Sequence, residues 1–396
     1  MSEILKKEMF TIPKGMIYLD GNSLGPMPVD VPGRMAQMLS DEWGQMLIKG
    51  WNGAGWMDQP ARIGDQIGRV IGTPDGSVVL GDTLSIKVYQ ALASALMMRP
   101  DRRVVLSDTG NFPTDLYMAE GLLGMLGQGY TLRTVAPDQV AQSITPDVAA
   151  VMLTHVDYRS GRVHDMNAVT QAAHQAGAVM IWDLAHSAGA LALDLHGSQA
   201  EFAVGCTYKY LNGGPGAPAF IYVRPDLADT VKPALSGWLG HRAPFDFDPR
   251  YQPGQGIERM RVGTPPVLQM TTLECAMQAF DGVDMQQLRA VSVALQEQFI
   301  AGIEARAPML TLASPRQSDQ RGSQVSFAFD HGYAAMQACI HHGVIGDFRA
   351  PNIMRFGFTP LYIDADDVEQ AIERIANIMA DRLWDQPQFH ARQKVT

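Results

Sequence analysis

The stretch AVMIWDLAHSAGALALDLHGSQAEFAVGCTYKYLNGGPG, Ala178–Gly216, decides how the chain is read. It opens on Ala178-Val179-Met180-Ile181-Trp182, an apolar run too short for a helix and suited to a buried strand. Asp183 follows at once. A carboxylate at a strand's end can hold a cation or a protonated ring nitrogen, but taken alone a turn cap is its commoner use. His186 lies three residues on and shares whatever pocket Asp183 enters. A second strand-like run reaches Cys206. Lys209 then stands alone as a cation in an uncharged stretch that ends in Gly213-Gly214-Pro215-Gly216. Lysine forms Schiff bases when desolvation or nearby positive charge lowers its pKa. A surface lysine before a hairpin is an equally good reading of that residue alone.

The same punctuation recurs on both sides. Ser77–Leu80 precedes a helical Leu84–Met98, and Arg103–Leu106 follows. Ala149–Leu153 precedes a helical Ala168–Gln175, and Ala219–Val223 is a further apolar run. Strands alternating with helices imply crossover connections and a largely parallel, buried sheet. Ligands of such sheets gather beyond the carboxyl ends of the strands. Two more such ends matter. At Leu80-Gly81-Asp82-Thr83-Leu84-Ser85 a helix start can cradle a phosphate, although an ordinary cap by Asp82, Thr83 or Ser85 is commoner. In Ser107–Asp115, Phe112 can stack on a planar ligand, although a core aromatic is the commoner case. One at a time, these features are unremarkable. Together, a phosphate cradle, a stacking ring, an acid for a ring nitrogen and a lysine for an aldehyde describe pyridoxal phosphate.

Beyond Gly282 the pattern becomes α+β. Gln286–Arg306 carries Leu288, Val291, Leu295, Phe299 and Ile303 on one helical stripe. Gly322–Asp330 alternates Val325, Phe327 and Phe329 as a half-buried strand does. Tyr333–His342 and Asp364–Trp384 have helical spacing. We expect three parts: residues 1–50, without clear alternation and packing on the small domain; residues 51–280, the large ligand-binding domain; and residues 281–396, the small C-terminal domain.

The 396 residues are 46% hydrophobic and 18% charged, an ordinary globular composition. A formal charge of −10 argues against nucleic acid or an anionic membrane as partner. The three cysteines, Cys206, Cys275 and Cys339, form no Cys-x-x-Cys pair, which suits a reducing compartment. With no apolar signal core at Met1–Glu8 and no membrane-length apolar run, we expect a cytoplasmic protein. No metal site is expected: His341 and His342 are adjacent and diverge on a helix, and Asp364, Asp366 and Asp367 suit a helix start.

The segment Asp183–Gly216 resembles the kynureninases. So do YLDGNSLG (Tyr18–Gly25), EWGQMLIKGWNGAGW (Glu42–Trp56), NFPTDLY (Asn111–Tyr117), GWLGH (Gly237–His241), RVGTPP (Arg261–Pro266) and RFGFTPLY (Arg355–Tyr362). The resemblance implies an α/β, fold-type-I pyridoxal-phosphate architecture, with a mostly parallel seven-stranded sheet in the large domain and a smaller α+β domain. It implies that Lys209 carries the cofactor, that Asp183 partners the ring nitrogen and that Phe112 stacks on the ring. Leu84 and Ser85 match phosphate positions, joined by Tyr208 and Trp238, and by Thr264 from a second subunit of a homodimer with shared sites. Asp115, Thr154 and His186 match positions lining the cofactor. Arg355 matches the clamp for the substrate's α-carboxylate, a use suited to a forked guanidinium.

The implied reaction is hydrolytic cleavage of L-kynurenine to anthranilate and L-alanine, in tryptophan catabolism and the kynurenine pathway that also serves NAD biosynthesis. Lys209 moves the α-proton and Tyr208 is the candidate acid for the β-carbon. Trp51 matches a position facing the substrate's aryl group. Members preferring 3-hydroxykynurenine tend to carry His and Asn where this chain has Trp51 and Thr264, which implies unsubstituted kynurenine here. The alternatives within the fold are a cysteine desulfurase, which needs an exposed nucleophilic cysteine, and a class V aminotransferase. A cofactor-free nucleotide-binding module is a different class; the chain has neither a phosphate-binding GxxxxGK[ST] loop nor a Gly-x-Gly-x-x-Gly helix start.

Overall fold

In the computed structural model, residues 4–392 are described; the tips of the first and last expected parts, 1–3 and 393–396, lie outside them. Seven strands form the central sheet: β1 (Val78–Leu80), β2 (Val104–Asp108), β3 (Thr131–Val135), β4 (Val148–Thr154), β5 (Val179–Asp183), β6 (Phe202–Gly205) and β7 (Phe220–Val223). Their spatial order is β1-β7-β6-β5-β4-β2-β3. β7 runs antiparallel to both neighbours and the remaining pairs are parallel.

Helices α1 (Gln59–Ile71), α2 (Leu84–Met98), α3 (Pro113–Leu126) and α4 (Met166–Gln175) provide crossovers and cover. Strands covered on both faces must be apolar throughout. All seven residues of β4, Val-Ala-Ala-Val-Met-Leu-Thr, are buried accordingly. β3 is the sheet's edge and its residues are half-buried or exposed, as an edge that avoids further pairing should be. The strand order reverses where β2 lies between β3 and β4, so the loops after β2, β4 and β5 open onto one crevice.

The C-terminal part is built on β8 (Thr311–Leu312), β9 (Gln324–Ala328), β10 (Asp347–Arg349) and β11 (Ile353–Gly357), ordered β8-β9-β11-β10 and antiparallel throughout. Helix α5 (Val267–Met277) packs against α1, and around the second sheet lie α6 (Met285–Arg306), α7 (Gly332–His341) and α8 (Ala365–Ala380). Phe299 of α6 meets Phe327, Phe356 and Phe358 at ring distances of 6.1, 5.1 and 5.2 Å, an aromatic centre for this core. Asp364 and Asp367 form a reciprocal capping box at the start of α8.

The amino-terminal residues are tied to this second sheet region by backbone. Ile17–Tyr18 pairs in parallel with Val344–Ile345, and Gly357 N–H donates to the Leu19 carbonyl. The chain then turns onto the Lys209 segment. Gly25 N–H donates to the Tyr208 carbonyl, and a Cβ at Gly25 would meet Asn212 Oδ1 at 2.3 Å and the Lys209 carbonyl at 2.5 Å. Only glycine permits that approach, and it brings Asp20, Asn22 and Ser23 towards the same crevice.

Candidate active site

The crevice beyond β2, β4, β5 and β6 collects most of the residues singled out in the sequence. Thr154 and Asp183 are register partners at the ends of β4 and β5. Asp183 Oδ1 accepts the Ala185 N–H at 2.8 Å, so the turn-capping use foreseen for it is real and leaves the rest of the carboxylate for other work. Asp115, in the first turn of α3, is buried, and its Oδ2 has no hydrogen-bond partner. Burial and the charge of Asp183 hold the Asp115 carboxyl well above the ordinary carboxylate range. Burial also pushes Asp183 up, to about 6, while the Lys209 charge opposes the shift. Of the two acids, Asp115 is pushed further up, and Asp183 is the one that ionises more readily.

Lys209 is half-buried, and its Nζ lies 3.0 Å from His186 Nε2. Burial first, and then the positive charge of Lys209, hold the His186 imidazole far below its usual pKa. It is therefore neutral and accepts from the amine; its Nδ1 has no partner. Phe112 precedes α3 with its ring 40% exposed, so it is no core aromatic. Its centroid is 6.0 Å from Lys209 Nζ, and Tyr158 packs against it edge-on at 5.3 Å. Tyr208 is half-buried beside Lys209. Cys206 and burial raise its phenol above the ordinary value, so it holds its proton at neutral pH.

Leu84 and Ser85 occupy the first turn of α2, behind Thr83, whose side chain makes no capping bond. The ordinary cap foreseen for this turn is thus missing, and the leading N–H groups of a 15-residue helix remain open for an anion.

These observations fit pyridoxal phosphate. The chain offers an uncapped helix start, an exposed ring above the crevice, a buried carboxylate at the strand end and an amine between them. The unpartnered Asp115 Oδ2 and His186 Nδ1 are the polar atoms that such a guest would leave facing it.

Arg355 lies on β11 and is fully buried. Its Nε donates to Asp347 Oδ1 at 2.5 Å, its Nη2 donates to Asp347 Oδ2, and its Nη1 donates to the Tyr158 carbonyl. Its charge is thus paired within the chain by Asp347. Trp51 packs edge-on against Trp56 at 5.6 Å, Trp238 packs against Phe245 at 5.9 Å, and Thr264 is an exposed turn residue. Among the described residues, no hydrogen bond or ring stacking joins these three to Lys209, Asp183 or Phe112.

Sequence reading missed Tyr158, Asp20, Asp347 and Arg349, which line the same region. Asp20 lies within the motif Tyr18–Gly25, and the Asp-Phe-Arg run at 347–349 was the only local signal of Asp347 and Arg349. Cys206, Cys275 and Cys339 are all free and buried, and burial raises each thiol, so none is poised as a nucleophile. No helix among the described residues is long and apolar enough to cross a membrane.

Comparison with known proteins gives concordant results. A model described as the kynureninase C-terminal domain matches residues 288–375, and one for the DegT/DnrJ/EryC1/StrS aminotransferase family matches residues 131–204. The kynureninase of Pseudomonas fluorescens is 50% identical, over 98% of this chain and 95% of its own length. That of Burkholderia pseudomallei (strain 1106a) is 48% identical over the same shares. Among solved structures, the apo cysteine desulfurase of Thermococcus onnurineus NA1 superposes with a TM-score of 0.79 at 17% identity, covering 96% of this chain and 98% of its own. A C-DES variant with glycine covalently linked to the PLP cofactor also gives 0.79, at 15% identity, covering 94% and 99%. At such identities these two bear on the fold alone.

Proposed function

The chain belongs to the kynureninase family, and on that premise we propose that it hydrolyses L-kynurenine to anthranilate and L-alanine, with Lys209, Asp183 and Tyr208 as its chemical groups. The observation that carries the reading is identity of 50% sustained over 98% of the chain, joined to a half-buried Lys209 amine 3.0 Å from a neutral His186. Pyridoxal phosphate, the cofactor, supplies when bound the electron sink that acidifies the substrate's α-carbon and lets the Cβ–Cγ bond break. Lys209 would hold the cofactor's aldehyde carbon, and its amine is the base placed to take the proton from the substrate's Cα. His186, neutral, accepts from that amine and steers it without adding a competing charge. Asp183 holds the proton on the ring nitrogen, and Asp115, which ionises less readily, keeps a second negative charge away from it. Leu84 and Ser85 offer the open N–H groups of α2 to the phosphate, and Phe112 covers the ring face. Water is consumed at the Cγ ketone, which leaves as the anthranilate carboxyl. Tyr208, which holds its proton at neutral pH, delivers one to the β-carbon that becomes the alanine methyl.

The test is direct. Purified holoenzyme given L-kynurenine should release fluorescent anthranilate and an equal amount of alanine. Alanine from cysteine, with kynurenine untouched, would instead favour a desulfurase; the three buried cysteines speak against that outcome.

We further propose a homodimer in which Trp51, Trp238 and Thr264 complete the site of a second copy. The exposed Leu47, Ile48, Phe245 and Phe247, on the segments that carry Trp51 and Trp238, motivate this. Light scattering should give twice the chain mass of 43.2 kDa. A fully active species of single-chain mass would refute the shared site.

A further inference from the structure

The guanidinium expected to bind the substrate's α-carboxylate has its charge already answered. Asp347 takes Arg355 side-on through Nε and Nη2. A guanidinium paired in this way keeps unused N–H groups at its outer end, but the pair has no net charge left to draw a second carboxylate. Something else must supply it.

Strand geometry points to Arg349. Asp347 and Arg349 are alternate residues of β10, so they share a face, and Asp347 is the register partner of Arg355 on the antiparallel β11. Arg349 Nη2 lies 2.8 Å from Asp347 Oδ2 and 3.5 Å from Ser23 Oγ, and Ser23 Oγ also donates to Asp347. Two guanidinium groups and a hydroxyl thus surround one carboxylate. Arg355 Nη1 donates to the Tyr158 carbonyl, and the Tyr158 ring packs edge-on against Phe112, whose centroid is 6.0 Å from Lys209 Nζ, so the cluster adjoins the same crevice. Asp20 lies half-buried near Asp347. Its Oδ1 has no hydrogen-bond partner, and burial, with the charge of Asp347, pushes its carboxyl well above the ordinary range. Arg349 and Arg355 together bring two positive charges to the one carboxylate of Asp347. Arg349 is also the accessible member: its side chain is 32% exposed, against 2% for Arg355.

We propose that Arg349 is a specificity-determining residue for the substrate's α-carboxylate, forming with Arg355 a two-guanidinium site around Asp347 and supplying its net charge. This rests on the kynurenine reading given above. A merely structural Arg349 would anchor Asp347 and nothing more.

Holoenzyme carrying Arg349→Gln, Arg349→Lys and the pair Asp347→Asn with Arg349→Gln separates the two. In Arg349→Gln, KM for L-kynurenine should rise about tenfold or more while kcat stays within about threefold, the pattern of lost uniform binding. The inhibition constant of L-alanine should rise in proportion. That of kynuramine, which is kynurenine without the α-carboxylate, should not move. Arg349→Lys keeps the charge and should recover most of the L-alanine affinity. The double variant removes one charge of each sign and should bind L-alanine more tightly than Arg349→Gln alone. An L-alanine constant within about twofold of wild type in Arg349→Gln, or a parallel rise for kynuramine, overturns the proposal. A wild-type enzyme that leaves kynurenine intact would count against the function, while the comparison of L-alanine with kynuramine would still decide the role of Arg349.

Discussion

Lys209→Ala is expected to abolish covalent attachment of the cofactor and to lower turnover by on the order of 10³-fold or more, in a protein that remains folded. The fold survives because little rests on this side chain. It is half-buried, its single hydrogen bond is to His186, and the rings nearest its amine have centroids 5.8 and 6.0 Å away. Losing that bond leaves a buried imidazole without its partner, a cost of about 1–3 kcal/mol. Catalysis has no such reserve, since no second lysine is described at the crevice; Lys87, the fully buried lysine of α2, is engaged by Gln90 and Asp82. The charge balance shifts as well. Lys209 holds Asp183 down and His186 down, so without it both titrate at higher pH. Borohydride reduction of wild-type holoenzyme should add the cofactor's mass to the peptide containing residue 209, and the variant should show no such addition anywhere. A variant that still traps the cofactor covalently, or forms anthranilate at a rate near wild type, would move the assignment to another amine.

The parts of the fold that sequence revealed are those where burial on both faces forces a continuous apolar run. Val179–Asp183 and Val148–Thr154 are the clearest, and both are entirely buried. Leu84–Met98 was visible because two strand-like runs bracket it. What escaped has equally physical causes. Helix α1 buries Ile63, Ile67, Val70 and Ile71 on one stripe and stops at Gly72, which is left-handed at φ 73°, yet Gly64 and Gly68 dilute the apolar signal. β3 is a polar edge strand with no buried face to mark it. In the site, Asp183, Lys209, Phe112 and Thr154 follow strands directly and could be found from strand ends alone. Asp20, Ser23, Asp347 and Arg349 could not. Ser23 and Asp347 are 324 residues apart and meet only because the amino-terminal backbone pairs beside the second sheet. The same cause hid the occupied fork of Arg355: a cross-strand partner eight residues away leaves no periodic trace.

Asp183→Asn should lower kcat/KM by on the order of 10²–10³-fold with the cofactor still bound, and should make the apoenzyme more stable at neutral pH. The two effects have one origin. Asp183 is buried at the end of β5, and its charge costs desolvation that the apoprotein offsets only in part, through the Ala185 N–H and Lys209. Asparagine keeps the shape, and its amide oxygen can still accept from Ala185. It cannot keep a ring nitrogen protonated, so the electron sink weakens. The companion acid limits the damage. Without the charge of Asp183 beside it, Asp115 ionises more readily, which sets a floor that the double variant Asp183→Asn with Asp115→Asn should remove. The sign of the pH effect follows from the raised pKa. A carboxyl that titrates at about 6 when folded, against 3.8 unfolded, favours the folded state fully below pH 3.8, and this stability is lost as pH rises through 6. Wild-type apoenzyme should therefore lose stability across that window, and Asp183→Asn should lose less. The gain in Tm of the variant over wild type should be largest near pH 8 and shrink towards pH 4. Bound cofactor should reverse the ranking, because its ring charge answers the carboxylate and stabilises wild type more than the variant. Equal Tm values for the two apoenzymes at pH 8, together with near-normal turnover of the loaded variant, would remove Asp183 from the chemistry and leave it as the cap of its own turn.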